Sequence, residues 1–564
     1  MTMTLLPWLI LAPTLAALLA PSIGALVPSW RSPLYTLSHV GALVLALLAL
    51  AGGSGSVAVL IQRGPLALQL GLALDRSSGL ALVVAAAIFL AVGWFSQGYA
   101  RGARYAGAFR SLLLLEQAAV SLALLASDLL ALYAGLLTLS LSMMLMIGLD
   151  FGPSGGAAAL RTFATVEVPA ALAFAGFWLI DAHAGTLALS DLARETVWLR
   201  GSASPALVAA IAIALIGRAG LTPLHNWVVA GCRAASATAA IAIAGIALPV
   251  GGLVLGRLVD LAIPLGTTAT EGLALLGAAT AIVAGIGATR ERNALAWLGY
   301  LAVGQVGLTV VGFVAGGSAG QLSASLGLAA TALAITLIGM AVGLAIRAAG
   351  RDQIDSFARL SRVPAARLPF LIGMAALVPL PPLPTFVARR LLLASLLSSG
   401  SIRGYGIAAM VVLGTLALAL PIWRVALTPE PSPAQWGRGL GMRALIPGAK
   451  QQELTVPMIA LAGAIVLLGL MPASWLIGPV ATAWSGVSAA LVILAVGAAV
   501  VVGPAMLGSA RLERLNRSLS RLGGRARLDL ALDPYVLVGG LLLAVGRLSA
   551  ITLDETLGRL ARAR

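Results

Sequence analysis

A few ionisable residues stand inside the long apolar runs of this 564-residue chain. Glu116 lies within LLLLEQAAV, Glu167 lies within RTFATVEVPAALAF, and Asp128 opens the run SDLLALYAG. Charged groups are costly in hydrocarbon, so those that persist there usually mark the path of an ion or a proton. These residues therefore predict an ion pathway. For Glu116 the alternative is an interhelical pair with a nearby arginine.

Two further apolar runs are interrupted by proline and carry basic residues at the interruption. The first is GRAGLTPLHNW at 217–227, with Arg218 and His225, and the second is VPLPPLPTFVARR at 378–390, with Arg389. A proline inside a helix removes a backbone hydrogen bond, and in a membrane the freed groups need protein or water partners. Two matched breaks favour an ion pathway over the alternative of simple kinks with interfacial arginines.

The composition sets the class of protein. Hydrophobic residues make up 60% of the chain and charged residues 10%, and the mean hydropathy is +1.01, whereas soluble domains carry about 25% charged residues. The net charge of +16 comes from basic residues scattered between apolar runs, which indicates membrane topology and not nucleic-acid binding. The single cysteine, Cys232, excludes an intramolecular disulfide. No nucleotide-binding loop or metal-ligand spacing is present, so we expect no cofactor.

Apolar runs of about 18 residues or more predict an all-α integral membrane protein with about 16 transmembrane helices. The predicted spans lie near 5–27, 33–53, 78–97, 108–126, 128–149, 162–182, 205–224, 236–258, 271–289, 294–316, 321–347, 366–388, 404–426, 455–471, 480–507 and 533–551.

The two broken helices are the seventh and the twelfth, and spans an odd number apart run in opposite directions. This predicts two inverted five-helix repeats, spans 4–8 and spans 9–13. The predicted domains are N-terminal helices 1–3 at 1–107, the first repeat at 108–258, the second repeat at 271–426, C-terminal transmembrane helices at 427–507, a cytoplasmic basic amphipathic segment at 508–530, and a final helix and tail at 531–564.

Arginine is unevenly distributed between the loops. Loops after odd-numbered spans hold roughly 24 basic residues and loops after even-numbered spans roughly 8, which predicts a cytoplasmic side for the former and an outward-facing N-terminus. Leucine and arginine recur at helical spacing in 508–530. This pattern indicates either a basic helix on the cytoplasmic surface or a solvated basic loop.

Four stretches, in order, resemble the antiporter-like subunits shared by respiratory complex I, Mrp cation/proton antiporters and group 4 membrane-bound hydrogenases. The resemblance covers roughly residues 75–430 and places Arg218 and Arg389 where the family has lysines. It also places Gln305 in the serine-glutamine-x-glycine turn of the family. The stretches are SDLLALYAGLLTLS (127–140), GRAGLTPLHNW (217–227), ERNALAWLGYLAVGQVG (291–307) and PPLPTFVAR (381–389).

The chain departs from the family at several charged positions. The glutamate of the family's fifth helix falls on Leu137, the histidine of its eighth helix falls near Ile243, and residues 317–344 contain no lysine or histidine. The resemblance implies a relay of protons between groups that titrate. Arginine keeps a positive charge but does not readily release a proton, so the standard pathway is altered or lost.

The tenth span allows two alignments with the family. One puts the family's aspartate and lysine on Asn293 and Leu295, and the other puts them on Arg290 and Arg292. The complete predicted ion pathway is Glu116, Asp128, Glu167, Arg218, His225, Arg292, Gln305 and Arg389.

The resemblance implies a membrane subunit of a multisubunit complex that translocates protons or sodium ions, coupled to a redox partner. Such a subunit would have no active site of its own. Its partners would be the bilayer and other membrane subunits of a complex I-like or hydrogenase-like assembly in a bacterial inner membrane. The alternatives are a non-pumping structural or adaptor subunit and the membrane subunit of a bicarbonate-uptake complex. An unrelated secondary transporter does not explain the ordered motifs.

Overall fold

The computed structural model describes residues 2–63, 66–149, 153–194, 204–262, 267–362, 364–426 and 450–470, with the isolated positions 492 and 494. Twelve helices in this part of the chain are long and apolar enough to cross a membrane. The chain is therefore an all-α multi-pass membrane protein, as its apolar runs predict.

The N-terminal helices include a hairpin between the second and third spans. In chain order the elements are α1 Thr2–Leu5, α2 Trp8–Leu26, α3 Arg31–Ala51, β1 Gly55–Arg63, β2 Leu66–Leu74, α4 Arg76–Tyr99, α5 Ala106–Leu125, α6 Leu129–Gly148, α7 Pro153–Ala184 and α8 Leu189–Arg194.

The remaining helices contain both breaks. They are α9 Ser204–Arg218, α10 Asn226–Ala234, α11 Ala237–Ala242 with a π-helical turn at Ile243–Ala247, α12 Leu248–Ala262, α13 Thr267–Arg290, α14 Ala294–Ala315, α15 Gly317–Ala349, α16 Pro364–Leu377, α17 Pro384–Ser398, α18 Ile402–Ala426 and α19 Gln451–Leu470.

Each of the first fourteen predicted spans falls on a helix. Twelve of these helices are long enough to span a membrane on their own. The other two are the seventh and the twelfth, which are divided into α9 with α10 and α16 with α17. The spans predicted near 480–507 and 533–551, and the basic segment 508–530, lie outside the described residues, so the total of about 16 stays a prediction.

Both breaks fall where proline interrupts the apolar run. Each contains a cis peptide bond, Thr222–Pro223 in one and Pro381–Pro382 in the other. At the first, Trp227 donates from Nε1 to the Gly217 carbonyl at 2.7 Å. A side chain thus hydrogen-bonds to a backbone carbonyl that the interrupted helix leaves free, as a low-dielectric environment requires.

The β-hairpin is an element that the search for apolar spans misses. β1 and β2 pair antiparallel, with Gly55 opposite Leu74 and Arg63 opposite Leu66. Alternating Val57, Val59 and Ile61 are the sequence signal that favours a strand. The hairpin helps to position the fifth span, because the Gly71 amide donates to the Asp128 carboxylate at 2.5 Å.

Two arginines cap the C-terminal ends of helices at matching places. Arg257 of α12 donates to the carbonyls of Ala123, Leu124 and Ala126 at 2.7–3.1 Å, at the end of α5. Arg424 of α18 donates to the carbonyls of Thr289 and Glu291 at 2.7 and 2.6 Å, at the end of α13. The eighth span therefore caps the fourth, and the thirteenth caps the ninth. Carbonyls at a helix end have no partner within the helix, and a cation there is favourable.

The starts of two helices are matched in the same way. Asp128 accepts from the Ala131 amide at 2.8 Å at the start of α6, and Asn293 accepts from two amides at 2.9 and 3.0 Å at the start of α14. Each cap also forms an isolated β-bridge with a residue that follows the next two spans, Asp128 with Ala188 and Asn293 with Gln353. These pairs agree with the predicted repeats, whose inverted relation stays a prediction.

The arginine caps provide the first test. We expect Arg257→Met to lower the free energy of unfolding by about 1.5–3 kcal/mol, because charged hydrogen bonds to helix-end carbonyls are lost. The matched control is Arg403→Met, since Arg403 forms an exposed ion pair with Glu271, and exposed pairs contribute at most about 1 kcal/mol. Thermal unfolding in detergent, followed by tryptophan fluorescence, measures both. Equal midpoints in the two variants would contradict the capping role.

Candidate ion-pathway site

Arg218 is the centre of a buried polar cluster between α6, α7 and α9. Its side chain is 3% exposed, and its Nη1 lies 3.4 Å from Oε1 of Glu167. Nη1 also donates to the Ser140 hydroxyl, and Nη2 donates to the Leu136 carbonyl at 3.0 Å. The guanidinium therefore joins three helices, which a buried cation requires if its lost hydration is to be replaced.

Glu116 adds a second carboxylate to this cluster from α5. It is completely buried, and neither carboxylate oxygen has a hydrogen-bond partner within the described part of the chain. Glu116 lies within electrostatic reach of Arg218. The alternative in which Glu116 pairs with an arginine is therefore not seen as a direct contact, and the place of Glu116 in the ion pathway stays a prediction.

A cavity of about 50 Å³ adjoins the ion pair. Glu167 and Arg218 form its polar wall, and apolar side chains of α6, α7 and α9 complete the lining. A water molecule needs about 10–15 Å³ of such volume, so the cavity has room for a few. On one side Tyr133 stacks on Phe174, with 4.5 Å between ring centroids. The ion pair is thus accessible to small polar species but otherwise enclosed by apolar groups.

Leu137 stands beside the groups that receive the Arg218 hydrogen bonds. The Leu136 carbonyl precedes it, and the Ser140 hydroxyl lies one turn further along α6. Arg218 therefore reaches the turn of α6 that the family resemblance indicates, although the carboxylate comes from α7. Sequence reasoning missed Ser140, and a hydroxyl within LLTLSLSMM three residues after Leu137 is the signal that could have found it.

His225 lies on the other side of the first break. It is buried and immediately precedes α10. Its ring centroid is 6.1 Å from that of Tyr300 on α14, the helix that also carries Gln305. His225 is therefore in contact with the second half of the protein.

The second break contains a different kind of cluster. Arg389 is 2% exposed and donates from Nη2 to Oε1 of Gln305 at 2.7 Å. Gln305 in turn donates to the Leu377 carbonyl, at the end of α16, at 2.9 Å. Within the described ranges no ion pair joins Arg389 to a carboxylate. The structure thus joins Arg389 with Gln305, both residues of the predicted pathway, and the acceptors of these hydrogen bonds are neutral.

Asp128 and Arg292 lie apart from both clusters. The two Asp128 oxygens accept from the Gly71 and Ala131 amides, so this carboxylate holds the hairpin and the start of α6. Arg292 is exposed between α13 and α14. The other alignment points to Asn293, which caps the start of α14, and to Leu295, which is a buried apolar residue. Among the described residues, no hydrogen bond or ion pair joins Arg290, Arg292, Asn293 or Leu295 to Arg218 or Arg389.

A larger cavity of about 120 Å³ lies between α4, α12 and α15. Its lining is apolar apart from the hydroxyls of Ser77 and Ser325. This lining suits hydrocarbon and not an ion. The candidate ion-pathway site is the smaller cavity, whose lining is also largely apolar but includes the charged groups of Glu167 and Arg218.

The sequence comparison agrees with this arrangement of broken helices and buried arginines. Residues 126–416 match the family described as "NADH:quinone oxidoreductase/Mrp antiporter, TM". That match covers more than half of the chain. The chain belongs to this family.

Two curated members of the antiporter family have recognisable sequence similarity. The "NADH-quinone oxidoreductase subunit N" of Heliobacterium modesticaldum (strain ATCC 51547 / Ice1) is 25% identical over 335 residues, which are 57% of this chain and 69% of the relative. The protein of the same name from Herminiimonas arsenicoxydans is 26% identical over 377 residues, which are 64% of this chain and 72% of the relative.

Two solved structures share the fold. A chain of the membrane-bound sulfane sulfur reductase, an archaeal respiratory membrane complex, superposes with a TM-score of 0.72 at 18% identity, over 88% of this chain and 99% of that chain. A chain of the Mrp complex from Dietzia sp. DQ12-45-1b gives a TM-score of 0.67 at 19% identity, over 90% and 100% of the two chains.

Asp128 provides the second test, because its two hydrogen bonds indicate a structural task. We expect Asp128→Ala to lower the free energy of unfolding by about 1–2 kcal/mol, the usual contribution of a helix cap, and to leave ion flux unchanged. Thermal unfolding and flux in vesicles measure the two effects. Asp191→Ala, at an exposed helix start, is the matched control. A stable Asp128→Ala protein without flux would instead place Asp128 in the pathway.

Proposed function

We propose that this chain is an ion-translocating subunit of a multisubunit membrane complex, in which Glu116 and Glu167 carry the ion and Arg218 is a fixed charge. The observation that supports it is the charge of the buried cluster. The Arg218 guanidinium forms an ion pair with Glu167 and lies within electrostatic reach of Glu116. If all three are ionised, the cluster bears a net negative charge.

A net charge inside a membrane protein is unfavourable, so the cluster gains from taking up one positive charge. A proton on either carboxylate neutralises it. Arginine does not lose its proton under these conditions, so the exchangeable proton must be held by Glu116 or Glu167. Arg218 lies near both and attracts whichever carboxylate is ionised. Movement of the proton from one carboxylate to the other is then a step along the membrane plane.

The ligands at the cluster favour a proton over sodium as the ion. A metal cation needs several oxygen ligands at once. Two of the oxygens nearest to the ion pair, those of Ser140 and Leu136, already accept hydrogen bonds from Arg218. A proton needs only one carboxylate oxygen, and the cavity beside Glu167 gives water access to it.

The relatives support membership of a larger assembly. Two are named as subunits of NADH-quinone oxidoreductase, and the superposed structures belong to a respiratory membrane complex and an Mrp complex. We therefore place this chain in a bacterial inner membrane, beside other membrane subunits and coupled to a redox partner.

A structural or adaptor subunit is the second candidate function. The observation that favours it is the second cluster, where Arg389 binds the neutral carboxamide of Gln305. Neither group exchanges protons at ordinary pH. If the second half provides only a fixed charge, the chain could hold a partner in place without pumping.

The third test measures flux through the purified full chain in vesicles. A potassium diffusion potential drives ions inward, and an internal pH dye reports protons. We expect Glu116→Gln and Glu167→Gln each to lower proton flux by about tenfold or more, because a proton-transferring side chain contributes about 100-fold to its step. Glu271→Gln is the control, since Glu271 forms an exposed pair with Arg403.

The outcomes separate the two functions. Flux that depends on external sodium, and not on the pH gradient, would make sodium the transported ion. Wild-type flux in both glutamine variants would remove the carboxylates from the pathway. If the wild-type chain, purified with its accompanying subunits, moved neither ion, the adaptor function would replace the proposal.

The fourth test moves the carboxylate between helices. If the site needs a negative charge beside Arg218 and not a particular residue, Leu137→Glu in the Glu167→Gln protein should restore flux and raise the unfolding midpoint. Loss of one partner from a buried pair costs about 3–5 kcal/mol, so the midpoint alone is a sensitive readout. The control is Thr138→Glu in the same background. Equal recovery by that variant would show that position 137 has no special relation to Arg218.

A further inference from the structure

A stripe of polar residues follows one face of α3, outside the clusters at the two breaks. Ser32, Tyr35, Thr36 and His39 are spaced as i, i+3, i+4 and i+7, which places them on one side of the helix. The stripe lies against α4 and α5. Polar groups at this spacing are costly in a membrane helix unless they have partners or a function.

Each residue of the stripe has a hydrogen-bond partner on α4 or α5. Ser32 donates to Oε1 of Gln97 at 2.5 Å, and Gln97 donates from Nε2 to the Thr36 hydroxyl at 2.6 Å. The hydroxyls of Tyr35 and Ser111 are 3.0 Å apart. These contacts, with that of His39 to Gln117, form a seam of three separate polar clusters between the three helices.

The seam ends at a fully buried group. Ser32 and Thr36 are half-buried, whereas Tyr35 and His39 are 2% and 1% exposed. Seven residues of helix correspond to about 10 Å, or about a third of the hydrocarbon thickness. The shallow end lies where α4 ends and α5 begins, near Arg101 and Arg104. The arginine distribution predicts that this side is cytoplasmic.

His39 is the deepest group of the seam and has a place shaped for it. Its Nδ1 lies 2.7 Å from Oε1 of Gln117 on α5. A Cβ atom at position 93 would come within 2.6 Å of Cδ2 and 2.7 Å of Nε2 of the ring. Glycine at position 93 of α4 therefore gives the imidazole its space. An imidazole can accept a proton on one nitrogen and release one from the other.

Helix α5 connects this seam to the charged cluster. Gln117 contacts His39 on one side of the helix, and the preceding residue, Glu116, is within electrostatic reach of Arg218. A cavity of about 10 Å³ adjoins Gln117 and Ser121, and apolar side chains form the rest of its lining. Its volume is close to the smallest, about 10–15 Å³, that holds one water molecule. Only one helix thus separates His39 from a buried carboxylate.

From this geometry we infer that the α3–α5 seam is a proton uptake route, in which His39 relays protons from the arginine-bearing surface to Glu116. The inference rests on the proposed function, because it needs Glu116 to be a proton carrier. Protons reach Nε2 of His39 through the seam hydroxyls and water between them, because carboxamides do not exchange protons. The ring then releases the proton on Nδ1 toward Glu116 through water beside Gln117, and a ring flip restores its first tautomer before the next transfer.

His39→Gln is the variant that separates a relay from a packing role. Glutamine keeps a hydrogen-bonding group next to Gln117 but does not titrate. In the vesicle assay we expect proton flux to fall by about tenfold with an unchanged unfolding midpoint, since a relay group contributes about 100-fold to its own step. Ser38→Ala is the control, because Ser38 bonds only to the Leu34 carbonyl of its own helix at 2.7 Å. Its flux should equal that of the wild type.

A second variant tests the route without changing the histidine. Gly93→Ala should displace the imidazole and lower flux although His39 is present. Wild-type flux in His39→Gln would overturn the route, and so would wild-type flux in Gly93→Ala if His39→Gln fails to fold. If Glu116→Gln lacks flux while His39→Gln retains it, only the uptake route is wrong. If the wild-type chain itself has no flux, the proposed function fails first.

Discussion

The buried positive charge of Arg218 is the constraint on which the first half of this protein depends. A guanidinium that is 3% exposed must replace its hydration with fixed groups, and leaving any of its donors unpaired would cost stability. The Leu136 carbonyl, the Ser140 hydroxyl and the Glu167 carboxylate supply that replacement from two different helices. Helices α6, α7 and α9 are therefore held together by one charge as well as by apolar packing.

The breaks explain how such a charge can be positioned at depth. Helix α9 ends at Arg218, and Trp227 binds the Gly217 carbonyl, so the chain leaves the helix without exposing its backbone to lipid. The second break repeats this plan around Arg389, but Gln305 takes the place of a carboxylate. One half thus pairs its buried arginine with a carboxylate, and the other pairs its buried arginine with a neutral carboxamide.

The sequence predicts the spans and breaks because each depends on local composition. Twenty apolar residues must cross the bilayer, and a run with four prolines near Pro381 cannot remain one helix. The partners of the ionisable residues depend instead on helix rotation, where one position corresponds to about 100°. Glu167 and Glu116 are found because a charge inside an apolar run is visible in the sequence, whereas the contacts of Ser140 and of the α3 seam depend on helix rotation. The hairpin is missed for another reason, since its signal is the alternation of a strand and not a long apolar run. Asp128 shows the converse, since a carboxylate at a helix start serves equally well as a cap.

Leu137 shows what a departure from a family motif means physically. The family's glutamate is absent from that position, yet Arg218 still has a carboxylate 3.4 Å away, supplied by Glu167 on the neighbouring helix. A negative charge near a buried cation offsets the cost of its burial, and a carboxylate on α7 can supply it as well as one on α6. The carboxylate can therefore stand on a different helix while Arg218 still has an ion pair. Absence of a motif residue is weak grounds for loss of function until the charges around the cluster have been counted in space.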